Sequence, residues 1–130
     1  MRFMVETKAV LVIDDDVDFQ LMVSELLNSK GFKVRCLVKG EVNIVSHFAR
    51  QSDIILLDIE LPGINGIDIS KTLRADPTTA KIPIILVSGH SDNEPMITTV
   101  NAFFGKPFSL SRLLQKINEL LNPASAEYAV

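Results

Sequence analysis

The chain has 130 residues, of which 47% are hydrophobic and 22% charged, and a formal net charge of -3. That length suits one domain with one ordinary core, and six Gly and six Pro are too few for a fibrous or disordered chain. The mild acidity offers no electrostatic footprint for DNA or an anionic membrane, since both require clustered Lys and Arg, and no direct contact with either is expected. A lone cysteine, Cys36, excludes an internal disulfide.

In chain order, residues Ala9–Ile13 form an apolar, β-branched run that stops at Asp14, Asp15 and Asp16, the pattern of a buried strand ending in carboxylates. Asp16 is a natural cap for a helix that carries Phe19, Met22, Val23, Leu26 and Leu27 at helical spacing and stops at Gly31. The pattern repeats: residues 32–38 as strand, 41–50 as helix, 54–57 as strand, 67–73 as helix and 82–87 as strand. A short fifth strand over 102–104 and an amphipathic helix over 110–121 complete five strand-helix units with no hairpin signal between them. Cys36 lies in an apolar strand and is expected as a buried, inert thiol. His47 has no partner at catalytic spacing and reads as a surface residue. Residues 1–8 are too short and polar for a signal peptide, and no apolar run approaches the roughly 20 residues of a membrane span. The expectation is a cytoplasmic protein with an extension over 1–8, one domain over 9–121 and a tail over 122–130.

Apolar strands alternating with amphipathic helices imply a parallel sheet covered on both faces, a doubly wound α/β fold. Ligands of such sheets sit at the carboxyl ends of the strands, where this sequence places Asp14, Asp15, Asp58, Ser88 and Lys106. Taken singly these read blandly: Asp14 to Asp16 as a solvated helix start, Ser88 as a turn residue, Lys106 as a surface lysine. Together they read differently. Clustered carboxylates raise one another's pKa or recruit a cation, and a donor set of oxygen alone suits magnesium.

These residues carry a family resemblance. The segments Val10-Leu11-Val12-Ile13-Asp14-Asp15-Asp16, Leu56-Leu57-Asp58-Ile59-Glu60-Leu61-Pro62-Gly63-Ile64-Asn65-Gly66, Ile82-Pro83-Ile84-Ile85-Leu86-Val87-Ser88-Gly89 and Lys106-Pro107-Phe108 resemble, in order, the signature segments of response-regulator receiver domains. The resemblance spans about residues 9 to 121 and implies a flavodoxin-like sheet of order 2-1-3-4-5. It implies phosphorylation of Asp58 and a magnesium ion held by Asp15, Asp58 and the backbone carbonyl of Glu60, with Asp14 acting through water. Ser88 and Lys106 would bond the phosphoryl oxygens, and the Lys106-Pro107 peptide would be cis. Phe103 stands at the aromatic switch position, able to fill or vacate space near Ser88 but lacking a tyrosine hydroxyl. Glu60 and His90 are expected to tune hydrolysis, Glu60 by hindering the attacking water.

One departure concerns the fourth unit. Only 18 positions separate Ser88 from Lys106, so the expectation is either a helix of one or two turns, with Asn93 as cap and Pro95 near the first turn before β-branched residues of modest helix propensity, or a mobile segment. The expected donor is a sensor histidine kinase or histidine phosphotransfer protein, and the expected output is a downstream effector or attached output domain. The family's output surface also allows a homodimer. The chain is expected to be a signalling switch with no turnover of a separate substrate. A magnesium phosphohydrolase with an aspartyl nucleophile fits less well, because Glu60 and Leu61-Pro62 stand where that family places an acidic aspartate. A receiver that binds partners without phosphorylation would typically lack one of the five site residues, and all are present.

Overall fold

The computed structural model describes residues 7–89 and 97–122. In chain order its elements are β1 (Ala9–Ile13), α1 (Val17–Ser29), β2 (Lys33–Leu37), α2 (Val42–Ala49), β3 (Ile54–Asp58), β4 (Glu60–Leu61), β5 (Ile64–Asn65), α3 (Gly66–Ala75), β6 (Ile84–Ser88), β7 (Ala102–Gly105) and α4 (Leu110–Leu121). Five strands pair in parallel in the order β2-β1-β3-β6-β7. This is the expected 2-1-3-4-5 sheet once the two short strands β4 and β5 are set apart.

Side chains alternate across a strand, so each buried strand feeds two cores. Val10, Val12, Ile54, Leu56, Ile85 and Val87 face α1 and α4, where Phe19, Val23, Leu27, Leu113 and Ile117 meet them. Leu11, Ile13, Ile55, Leu57, Ile84 and Leu86 face α2 and α3, against Val45, Ala49, Ile69 and Leu73. Burying each of the Val, Leu, Ile and Phe side chains contributes about 1.5–3 kcal/mol, and strands apolar on both faces have no alternative to a sandwiched position in the sheet. Asp16 caps α1 by accepting from the Phe19 amide at 3.1 Å, Glu41 caps α2 and Asn65 caps α3.

Two expectations are corrected. Residues 60–65 form an antiparallel hairpin, β4 against β5, where none was expected. The overlooked signal is Pro62-Gly63: Gly63, at φ 76°, takes the left-handed position such a turn demands. Cys36 is only partly buried, its Sγ 3.2 Å from Ser24 Oγ, because β2 lies at the edge of the sheet. Residues 98 and 99 form a turn, in keeping with the short fourth helix expected and with the modest helix propensity of β-branched residues there. The expected helix start at Asn93 and Pro95 lies outside the described residues.

The chain entering β7 is tied down from two sides. Thr99 Oγ1 lies 2.6 Å from Ser70 Oγ on α3, and the Asn101 amide donates to Ile84 O at 2.8 Å. The Arg74 guanidinium donates to the carbonyls of Ala80 and Ile82 and to Asn101 Oδ1. β7 is thereby held in register with β6, Phe103 opposite Leu86 and Gly105 opposite Ser88. No helix among the described residues is long and apolar enough to cross a membrane.

Candidate functional site

The parallel register brings the ends of β1, β3, β6 and β7 to one edge, and with them the residues expected there. Asp14 and Asp58 are buried, at 2% and 5% exposure, while Asp15 is exposed. One carboxylate oxygen from each of the three lies within 4.8 Å of the others. Asp14 Oδ2 accepts from Lys106 Nζ at 2.7 Å, and its Oδ1 accepts from the Asp16 amide at 2.9 Å. The Lys106-Pro107 peptide is cis, as expected.

The charges at this edge do not balance. Among the described residues, the carboxylates of Asp14, Asp15 and Asp58 share the Lys106 ammonium, and burial together with the nearby Asp14 charge pushes the Asp58 carboxyl up to about 7, against the opposing pull of Lys106. An oxygen-only set of this kind fits a hard divalent cation, which would hold Asp58 in its ionised form.

Ser88 ends β6 fully buried, and its hydroxyl donates to Glu60 Oε1 at 2.5 Å. The Gly89 amide reaches Oε2 at 3.4 Å, and the Glu60 amide donates to Asp58 Oδ1 at 3.3 Å. Alternation along Ile59-Glu60-Leu61 explains the arrangement: Leu61 turns into the core, so Glu60 turns the other way, toward the end of β6. Burial works to raise the Glu60 pKa, but the bonds from Ser88, Asp58 and Gly89 outweigh it and hold the carboxyl below its usual range. Phe103 packs, partly buried, with Ile97 and Val100 against the core beneath α2 and α3, on the face that also carries Leu86 and, two residues on, Ser88. His90 lies outside the described residues, and His47 is exposed.

Several supporting residues escaped the sequence reading. Gln20 is buried on α1 and donates to the carbonyls of Asp14 at 2.7 Å and Leu37 at 2.8 Å, clamping the end of β1 to β2. A glutamine within an apolar helical face was the available signal. Phe19 lies under Lys106, Nζ 4.1 Å from the ring centroid, and stacks edge-on against Phe108. Gly66 opens α3 so close to β3 that a Cβ there would lie 2.1 Å from the Asp58 carbonyl oxygen. That close approach has no signature in the sequence beyond the glycine itself.

Fold and site together define a class: doubly wound α/β domains with an acidic, cation-ready mouth beside a hydroxyl and a lysine. A model of the response regulator receiver domain family matches residues 10–118, and the chain belongs to that family, the receiver modules of two-component signalling. It is similar to the phosphate regulon transcriptional regulatory protein PhoB of Pseudomonas aeruginosa, 33% identical over 121 residues, covering 88% of this chain and 52% of that protein. The chain thus spans about half the length of the curated relatives it matches. Among solved structures it resembles the response regulator TrrA of Thermotoga maritima in complex with magnesium and beryllofluoride, with TM-score 0.77, 26% identity, and coverage of 88% of this chain and 100% of that one. A CheY-like receiver domain protein from Methanospirillum hungatei shares the fold, with TM-score 0.80 at 22% identity over 94% of this chain and 99% of that one.

Proposed function

We propose that this receiver accepts a phosphoryl group on Asp58 from a phosphohistidine protein, a sensor histidine kinase or histidine phosphotransfer protein. The observation that carries the reading is the convergence of Asp14, Asp15 and Asp58 within 4.8 Å beside the Lys106 ammonium. The acceptor Oδ attacks phosphorus, the P–N bond to imidazole breaks, and the nitrogen leaves with the electron pair. A carboxylate is a weak nucleophile, so the rate must come from alignment and from neutralising the equatorial oxygens. Lys106 and Ser88 supply a charge and a hydroxyl for that purpose. A magnesium ion on Asp15, Asp58 and the Glu60 carbonyl, with Asp14 through water, supplies further countercharge when bound. Hydrolysis returns the Asp58 carboxylate and inorganic phosphate, with Glu60 hindering the attacking water and His90 a second tuning position.

The receiver unit in this reading is residues 9–121, flanked by 1–8 and 122–130, and it works in the cytoplasm. It turns over no separate substrate. Recruitment of Ser88 by the phosphoryl group is felt at Phe103 through packing, and the signal passes to an effector protein, an attached output domain or a second receiver. The test is intact mass after incubation with acetyl phosphate. One phosphoryl group, about 80 Da, is expected on the wild type only with magnesium and never on Asp58→Asn. An adduct that survives in Asp58→Asn would overturn the assignment. Hydrolysis unchanged in Glu60→Asn would remove the tuning role.

A further inference from the structure

The Glu60 carboxylate holds the last two described residues before position 90 at once. Oε1 takes the Ser88 hydroxyl at 2.5 Å, and Oε2 takes the Gly89 amide at 3.4 Å. A hydroxyl has one proton to donate. A Ser88 hydroxyl committed to Glu60 cannot at the same time donate to a phosphoryl oxygen on Asp58. We infer that Glu60 is a positioning residue that latches Ser88 in the unphosphorylated protein, and that a phosphoryl group on Asp58 must take the hydroxyl away from it. The inference rests on Asp58 as the acceptor and adds a step before the switch.

Two features support the latch. The bond joins a hydroxyl to an ionised acceptor, the stronger kind of hydrogen bond, and Ser88 is only 1% exposed, so water competes little for its proton. The geometry also couples arrival to release. The Glu60 amide already bonds Asp58 Oδ1 at 3.3 Å, so the acceptor and the latch are neighbours. A phosphoryl group brings about -1.5 to -2 charges to that place. It repels the Glu60 carboxylate while competing with it for the same proton. When Ser88 changes acceptor, the bond from Gly89 to the other carboxylate oxygen is loosened with it, and the end of β6 moves as a unit. This role is separate from any effect of Glu60 on hydrolysis, because it operates before the phosphoryl group arrives.

The experiment is a double-mutant cycle on beryllofluoride binding in the presence of magnesium, with wild type, Glu60→Ala, Ser88→Ala and the double variant. With Ser88 present, removing Glu60 is expected to improve the dissociation constant by about tenfold relative to its effect in the Ser88→Ala background. Glu60→Gln, which keeps an acceptor oxygen without the charge, is expected to fall between. In the metal-free protein the Gly89 amide proton is expected to shift upfield in Glu60→Ala, which reports the hold independently of any phosphoryl mimic. An equal change in both Ser88 backgrounds would mean general relief of negative charge and would overturn the latch. An unmoved Gly89 resonance in both Glu60 variants would overturn it as well. A wild type that binds no beryllofluoride with magnesium would instead overturn the acceptor reading, and the latch with it.

Discussion

Lys106, just beyond β7, reaches Asp14 at the end of β1 across 92 positions of sequence, with 2.7 Å between Nζ and Oδ2. The pair is unequal in exposure, 21% for the lysine side chain and 2% for the aspartate. Lys106→Ala would leave a buried carboxylate beside Asp58 and Asp15 with no compensating ammonium. A loss of about 2 kcal/mol is expected in urea unfolding of the metal-free protein at pH 8, less than for a fully buried pair because the lysine is partly solvated. Magnesium, as a substitute countercharge, should recover part of it.

Asp58 makes stability depend on pH. Its folded value near 7 lies above the ordinary 3.8, so its contribution is fully present below about pH 4 and is lost as pH rises through 7. The metal-free wild type should therefore lose stability over this window, and Asp58→Asn should flatten the curve. At pH 8 the variant is expected to be more stable than wild type by on the order of 2 kcal/mol, since it sheds a buried charge but also the attraction to Lys106. Thermal unfolding from pH 5 to 8 checks this. An unchanged slope in Asp58→Asn would count against the burial argument.

Magnesium affinity should follow the same proton. A ligand must be deprotonated to bind, so the dissociation constant is expected to weaken by roughly tenfold per pH unit below pH 7 and to level off above it. Isothermal titration at pH 6, 7 and 8 measures the slope and the accompanying proton release.

Gly66→Ala tests how tightly α3 is pressed against the acceptor strand. The new Cβ would stand 2.1 Å from the Asp58 carbonyl oxygen, and backbone must yield. A cost of about 2–3 kcal/mol is expected, with slower phosphoryl uptake because Asp58 is displaced. Stability and uptake should fall together.

Gln20→Leu removes the donor that links Asp14 O and Leu37 O. Leu37 O keeps the bond from the Asp14 amide, so the uncompensated loss falls on Asp14 O. About 1–2 kcal/mol of stability should be lost. Magnesium binding should weaken as well, since Asp14 and Asp15 sit at the loosened end of β1.

Much of this molecule was legible residue by residue. The runs at Ala9–Ile13 and 54–57 are apolar at every position, and only a strand covered on both faces satisfies them. Asp14, Asp15, Asp58, Ser88 and Lys106 could be found because a parallel sheet gathers whatever ends its strands. Less local features were missed. The hairpin over 60–65 consists of two two-residue strands, too short for alternation to register. The edge position of β2, which leaves Cys36 half-covered, depends on sheet order and not on the apolar character of the strand.

The sequence alone determined the doubly wound fold and the set of groups at its mouth, because burial periodicity and strand termini are local properties of the chain. Only the tertiary structure decided which of those groups bond to one another. Glu60 meets Ser88 across 28 positions, Lys106 meets Asp14 across 92, and α3 presses on Asp58 at Gly66. Such pairings depend on strand order, on register and on the direction a side chain takes from its strand, and no run of neighbouring residues encodes these.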